Sequence, residues 1–167
     1  ICRPRLLLAD EPTTALDVVA QRQVLDLLLR LKSEFGLSLI LISHDISAVA
    51  ETCERVAVMY AGEIVEEGPT REVLLAPRHP YTHGLVASIP SLYSDSKELT
   101  SIDGTPPNLI APPPACRFAA RCSFAQAICH EAKPAMVAVG VNRRSRCHFA
   151  ADLPALIAGK GDALVPA

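Results

Sequence analysis

The 167-residue sequence lacks both a long apolar run and an excess of charge of either sign. No stretch approaches the roughly 20 apolar residues that a helix needs to cross a bilayer. Sixteen basic residues against eighteen acidic ones leave a formal net charge of −2, which provides no basic footprint for nucleic acid. We therefore expect no membrane-spanning helix in this chain and no nucleic-acid partner.

A signal peptide is also missing, and the first residue is Ile1 rather than Met. We expect a piece of a longer cytosolic protein that reaches a membrane only through its partners. Aromatic residues are scarce, at 4% of the chain, while hydrophobic residues make up 50%. An apolar set of mostly Leu, Val, Ile and Ala suits helices packed on buried parallel strands, so the composition predicts an α/β fold.

The first 76 residues alternate strand and helix signals. Apolar runs over residues 6–9 and 37–42 predict two strands buried on both faces. Between them, an apolar stripe at helical spacing predicts a helix that starts after its N-cap, Asp17, and reaches about Glu34 before Gly36. The elements predicted next are a helix over 46–54, strands over 56–60 and 64–66, and a helix over 69–75. This order is typical of a parallel α/β layer.

After Ala76 the pattern changes. A short helix is predicted over residues 84–89, and a polar surface connection over residues 91–101. Residues 105–114 contain five prolines, which predict a stiff, extended arm. A Cys-rich segment follows, and a polar, Ala-rich tail closes the chain.

Two carboxylates follow the first predicted strand. Asp10 and Glu11 stand at its carboxyl end, the edge where parallel sheets bind ligands. A phosphoryl-transfer site needs one carboxylate near Mg²⁺ and a group that activates water. The dipeptide alone is more typical of an exposed strand end than of a catalytic site, so its neighbours decide its interpretation.

Those neighbours resemble the ABC ATPase family. Asp10-Glu11 matches its Walker B motif, Ala15-Leu16-Asp17 its D-loop, His44 its switch histidine, and residues 60–68 the hairpin that follows. The order and spacing agree over roughly the first 75 residues, and the ordered set is far more specific than any one motif. The resemblance implies a partial ABC-ATPase (RecA-like) parallel sheet with helices.

The resemblance also implies a role for each matched residue. Asp10 would serve the Mg²⁺ of bound ATP, and Glu11 would act as general base on the attacking water. Asp17 would lie at the interface with a second ATPase subunit. His44 would contact the γ-phosphate, a contact that an imidazole can make without full charge.

Three family motifs are absent from this sequence: the G-x-x-x-x-G-K-[ST] phosphate loop, the glutamine loop and the Leu-Ser-Gly-Gly signature. We therefore expect this chain alone to be inactive, because the phosphate loop supplies most contacts to the triphosphate.

A second resemblance covers most of residues 77–149. The segments 77–82, 104–107 and 116–122 resemble the C-terminal extension of oligopeptide and dipeptide importer ATPases, and some nickel importer ATPases look similar. Ala115 replaces an expected Gly. The resemblance divides the chain into residues 1–76, half of a nucleotide-binding domain; residues 77–149, an irregular Pro- and Cys-rich extension; and residues 150–167, a tail.

Four cysteines in this extension form a candidate metal site. Cys116, Cys122, Cys129 and Cys147 follow the spacing C-x5-C-x6-C-x17-C, which is not a zinc-finger pattern. In a reducing cytosol such a cluster indicates ligation rather than disulfides. Four thiolates can hold a 4Fe–4S cluster or one Zn²⁺, or remain unliganded. The resemblance favours the 4Fe–4S cluster, with His130 and His148 as backup ligands.

Together these patterns predict an ATP-hydrolysing subunit of a peptide importer at the cytoplasmic face of the inner membrane. The family implies a second ATPase subunit, two transmembrane permease subunits and, indirectly, a solute-binding receptor protein. The cargo stays open, since the ATPase chain does not touch it and a nickel importer would look alike. A non-catalytic iron–sulfur or other metal-binding fragment is the alternative from a different class.

Overall fold

The computed structural model describes residues 4–89 and 102–159, which fall into two compact units, residues 1–54 and 55–167. The predicted connection over residues 91–101 and residues 160–167 of the predicted tail lie outside the described residues. None of the helices in the described ranges is long and apolar enough to cross a membrane.

The first unit is a parallel strand pair with two helices. Its elements are β1 (Leu6–Asp10), α1 (Val18–Phe35), β2 (Ser38–Ile42) and α2 (Ile46–Thr52). The strands β1 and β2 run parallel, from Leu6 opposite Ser38 to Asp10 opposite Ile42. The loops after β1 and β2 therefore emerge at the same edge of the sheet, the edge at which parallel sheets bind ligands.

Caps set the ends of both helices in this unit. The Asp17 carboxylate accepts a hydrogen bond from the Ala20 amide at 2.9 Å, and Gly36 ends α1 in the left-handed conformation at φ 60°. Asp45 caps α2 through the Ser47 and Ala48 amides. The predicted boundaries of α1 are confirmed, because its capping residues are local sequence signals.

The prediction that both strands are buried on both faces is wrong for the described residues. Side chains alternate along each strand, and one face of the pair is exposed; it carries Leu6, Leu8, Ile40 and Ile42. The physical reason is the two-residue period of a strand, which sends successive side chains to opposite faces. The helix α1 packs against β2 and α2.

The second unit contains an antiparallel sheet. Its elements are β3 (Arg55–Tyr60), β4 (Glu63–Pro69), α3 (Thr70–Leu75), α4 (Pro80–Ala87), α5 (Ala127–Glu131), β5 (Val137–Gly140), β6 (Arg143–Ser145) and α6 (Leu153–Gly159). The order across the sheet is β3-β4-β6-β5, with every neighbouring pair antiparallel. The third predicted strand, β3, therefore joins this sheet and not a parallel layer.

Regular structure extends into the segment predicted to be irregular. The strand β4 is longer than the predicted 64–66, because β3 pairs with it as far as Pro69, and β6 from the Cys-rich segment pairs with Glu66 and Glu67 on its other side. The helix predicted over 84–89 instead spans Pro80–Ala87. Here the His79 imidazole caps the first turn by accepting from the Tyr81 amide, and Pro80 occupies the first helical position.

An aromatic cluster lies in the core of this unit. Tyr60 packs edge-on against Phe118, with ring centroids 5.1 Å apart, and lies 4.6 Å from Tyr81. The Arg121 guanidinium lies over the Tyr60 ring at 5.8 Å. The cluster joins β3, α4 and the start of the Cys-rich segment.

Candidate functional site

The edge where β1 and β2 both end carries the first candidate site. Asp10 is the exposed last residue of β1, and Glu11 follows it with a positive φ of 47°. The Glu11 amide donates to the Ile42 carbonyl at 2.9 Å, which extends the strand pairing by one step. The backbone therefore holds Glu11 against the end of β2.

His44 meets Glu11 at this edge. Its Nδ1 lies 2.8 Å from Oε2 and 3.0 Å from Oε1 of the carboxylate. The Thr14 hydroxyl donates to Oε2 at 3.0 Å. Since β1 and β2 are parallel and in register, two residues 33 positions apart become direct neighbours.

These contacts shift the pKa values of both Glu11 and His44. The hydrogen bond from His44 lowers the pKa of the Glu11 carboxyl, and that from Thr14 lowers it further, although partial desolvation opposes them. In return, Glu11 raises the pKa of His44, first by the hydrogen bond and then by its charge. Glu11 is thus kept as a carboxylate, the form that can accept a proton.

Asp10 and Asp17 occupy different positions in the same unit. Asp10 lies at the strand tip with its side chain exposed, and Asp17 lies at the other end of the loop as the cap of α1. The structure therefore brings Glu11 and His44 together directly, whereas Asp17 is engaged with a backbone amide of its own helix.

The second unit contains a pocket that gathers the four cysteines. Cys116, Cys122, Cys129 and Cys147 all line it. The sulfurs lie close enough that a charge on one raises the pKa of Cys116, Cys122 or Cys147. The rest of the lining is His79, Pro80, Phe118, Ala119, Phe124, His148, Phe149 and Leu153. His130 is exposed and is not among the lining residues.

Burial keeps the thiols of Cys116, Cys122 and Cys147 protonated in the described conformation. It raises the pKa of Cys116, that of Cys122 to about 12 and that of Cys147 to about 11, and the neighbouring thiols add to the effect. A bound cation would reverse this preference by favouring the thiolates.

A Cys-x-Phe pattern repeats three times around the pocket and was missed in the motif analysis. In Cys116–Phe118, Cys122–Phe124 and Cys147–Phe149, the Phe amide interacts with the sulfur two residues earlier and opposes the rise in its pKa. The Phe149 amide lies 3.4 Å from the Cys147 sulfur. Each repeat supplies a sulfur, an amide donor and an aromatic wall, and the repeat is visible in the sequence.

The sulfurs are not arranged as a finished ligand set. Within residues 4–89 and 102–159, no three His, Cys, Asp or Glu side chains are grouped closely enough to hold a metal ion. The donors fit a thiolate-bound group in type and in convergence on one pocket, and binding would have to draw them closer together.

Comparison with known proteins finds relatives among transporter ATP-binding proteins. Residues 65–129 match the family model described as the oligopeptide/dipeptide transporter, C-terminal region. A peptide import ATP-binding protein of Brucella ovis is 50% identical over 154 residues, 88% of this chain and 45% of that protein. The dipeptide transport ATP-binding protein DppD of Bacillus subtilis is 50% identical over 134 residues, 80% of this chain and 40% of DppD. Most of this chain is thus similar to ATP-binding proteins of peptide and dipeptide transport, and residues 65–129 match the C-terminal region typical of oligopeptide/dipeptide transporters.

This similarity confirms the resemblance seen in the motifs and the α/β, partial ABC-ATPase fold class. The chain spans less than half the length of the relatives it matches. Among solved structures, cbiO1 from Clostridium perfringens, part of the ABC transporter complex cbiONQ, is 34% identical with a TM-score of 0.41; the match covers 44% of this chain and 29% of that one.

Proposed function

We propose that this chain carries the water-activating part of an ABC ATPase site. The complete subunit would hydrolyse ATP and energise the uptake of peptides through a membrane importer. The observation that supports this most is the Glu11–His44 pair, 2.8 Å apart at the carboxyl edge of a parallel strand pair. Parallel sheets of this kind bind their ligands at that edge.

The proposed roles follow from position and protonation. Glu11, ionised and fixed by two hydrogen bonds, accepts the proton of the attacking water. His44 orients the water and donates to the γ-phosphate. Asp10, exposed at the tip of β1, holds Mg²⁺, which neutralises charge that develops on the phosphates. Asp17 marks the D-loop, where a second ATPase subunit would approach.

Substitution of the base in the complete subunit tests the proposal. Glu11→Gln keeps the side-chain shape but removes the proton acceptor, so we expect ATP binding without hydrolysis and a persistent ATP-bound dimer. His44→Ala should slow hydrolysis as well, and Glu34→Gln, an exposed change on α1, is the matched control. Near-normal turnover of Glu11→Gln would show that Glu11 is not the base.

We assign residues 1–76 to the nucleotide-binding domain, residues 77–149 to the importer-type extension and residues 150–167 to a tail. The proposed partners are a second ATPase subunit, two permease subunits and, through them, a peptide receptor. In this arrangement the subunit is peripheral, at the cytoplasmic face of the inner membrane. Co-purification of the complete subunit with its permease subunits from detergent extracts would test the assignment.

For the second unit we propose that Cys116, Cys122, Cys129 and Cys147 hold a 4Fe–4S cluster. Support comes from four thiols lining one pocket and from three amides that interact with their sulfurs. A thiolate-bound cluster would cross-link the extension and stabilise its fold. Four sulfurs would equally suit one Zn²⁺.

Analysis of protein purified without oxygen identifies the metal. We expect iron, acid-labile sulfide and broad visible absorption, all lost on Ser substitution of any of the four cysteines. Cys53→Ser is the matched control, because Cys53 ends α2 and is not among the pocket-lining residues. Stoichiometric zinc without sulfide would indicate a four-thiolate zinc site, and the absence of both metals would refute the proposal.

A further inference from the structure

The loop between β1 and α1 has an unusual backbone. Two non-glycine residues, Glu11 and Ala15, have positive φ angles of 47° and 63°. Positive φ is sterically disfavoured for residues with a Cβ atom, so contacts from outside the loop must hold this shape. Within the loop, the Thr14 amide donates to the Glu11 carbonyl at 3.2 Å and the Leu16 amide to the Thr13 carbonyl at 3.3 Å.

Gln21 supplies the contact from outside. It lies in the first turn of α1, and its side-chain Nε2 reaches the Leu16 carbonyl at 3.2 Å and the Thr13 carbonyl at 3.4 Å. A side-chain amide carries two N–H donors, one for each carbonyl. The two carbonyls flank the Thr14–Ala15 segment, so one side chain brackets the tip of the loop.

The bracketed segment contains the residue that contacts the proposed base. Thr14 donates its hydroxyl to Oε2 of Glu11 at 3.0 Å, the same oxygen that His44 approaches to 2.8 Å. Gln21 on α1 is therefore linked to the Glu11 carboxylate through the loop backbone that it brackets and the Thr14 hydroxyl on that backbone.

We propose that Gln21 is a positioning residue for Glu11. Its amide holds the loop in the conformation from which Thr14 orients the carboxylate. The inference rests on the proposed ATPase function. A base must be held in one direction to accept a proton, and a small displacement lowers the rate of the chemical step more than the binding of substrate.

The test uses kcat and KM for ATP in the complete subunit. Gln21→Glu is nearly isosteric but has no N–H to donate, and Gln21→Leu removes both polar atoms. We expect either change to lower kcat on the order of tenfold and to leave KM within about twofold. The matched controls Gln23→Glu and Gln23→Leu alter an exposed glutamine of the same helix and should retain wild-type kinetics.

Thr14 provides the second arm of the experiment. Thr14→Val should reproduce the loss of kcat, and Thr14→Ser, which keeps the hydroxyl, should restore it. Since Gln21 acts through Thr14, the Gln21→Leu/Thr14→Val double variant should lose no more than the more affected single variant. Thermal unfolding of each variant shows whether the loss of kcat occurs in a folded protein.

The outcomes separate this inference from the proposed function. Wild-type kcat in Gln21→Glu, with Glu11→Gln inactive, overturns the inference alone. Additive losses in the double variant, or a kcat that falls only as the folded fraction falls, also overturn it. Near-normal turnover of Glu11→Gln overturns both the proposed function and the inference.

Discussion

At the residue scale, Glu11 and His44 form an ion pair that a titration can detect. Glu11 raises the pKa of His44 above its ordinary 6.5. The stabilisation that protonated His44 gains from Glu11 is then present below pH 6.5 and is lost as the pH rises through the folded-state pKa of His44. The contact between Glu11 and His44 can therefore be tested in this chain without ATP.

We expect Glu11→Gln to return the pKa of His44 toward 6.5, because the carboxamide removes the neighbouring charge. Proton NMR titration of the His44 ring measures the change. Glu51→Gln, on α2, should leave the titration unaltered. An unchanged pKa in Glu11→Gln would contradict the contact in the structure.

The pKa of a second histidine, His79, is shifted in the opposite direction. Burial lowers the pKa of His79 to about 3. Between pH 6.5 and 3 the unfolded chain binds a proton that the folded chain does not, so the free energy of unfolding falls as the pH is lowered. Each pH unit in this window costs about 1.4 kcal/mol at most.

In metal-free protein, His79→Gln should reduce the loss of stability between pH 7 and pH 5 by roughly 2 kcal/mol, since only the 1.5 units below pH 6.5 count. Urea unfolding at the two pH values gives the difference. His130→Gln, an exposed change, is the control. Equal pH dependence in wild type and His79→Gln would show that His79 titrates normally.

At the element scale, α1 depends on its N-cap. Asp17→Ala removes the acceptor for the Ala20 amide and should destabilise the first unit by about 1 kcal/mol, whereas Asp17→Asn keeps an acceptor and should cost little. Chemical denaturation followed by helix circular dichroism measures both. Equal stability of Asp17→Ala and wild type would leave Asp17 without a capping role.

A buried ion pair joins the elements of the second unit. The Glu66 carboxylate on β4 is 0% exposed and accepts hydrogen bonds from the amides of Arg78 and His79 and from the guanidinium of Arg143, which is 5% exposed, on β6. Removal of one partner of such a pair leaves the other charge buried without compensation.

Glu66→Gln should therefore destabilise the second unit by about 3–5 kcal/mol. The neighbouring Glu67→Gln breaks only the more exposed pair with Arg144 and should cost about 1 kcal/mol or less. Differential scanning calorimetry of the two variants provides the comparison. Similar losses of stability in Glu66→Gln and Glu67→Gln would show that the buried ion pair contributes no more to stability than the exposed one.

At the scale of the whole molecule, the two units should respond differently to metal. If ligation and folding are coupled at the four cysteines, metal removal should speed amide hydrogen exchange in residues 102–159. Exchange in residues 4–54 should remain the same. Uniform exchange rates with and without metal would contradict a structural role for the four-thiol pocket.

Much of this molecule could be predicted from local patterns. The strand-to-loop motif at Asp10-Glu11, the caps at Asp17 and Gly36 and the family resemblance are contiguous features, so the sequence alone was sufficient to identify them. The predicted start of α4 at Gly84 is wrong, because the His79 cap and Pro80 at the first helical position begin the helix four residues earlier. Local chemistry could have corrected that error.

Other features depend on residues far apart in the chain, and only the tertiary structure decided them. Parallel register places His44 on Glu11, and the pairing of β4 with β6 brings Arg143 to Glu66 across 77 positions. The exposed apolar face of β1 and β2 likewise depends on which elements cover each side. A sequence pattern specifies which side chains share a face, whereas long-range packing determines what that face meets.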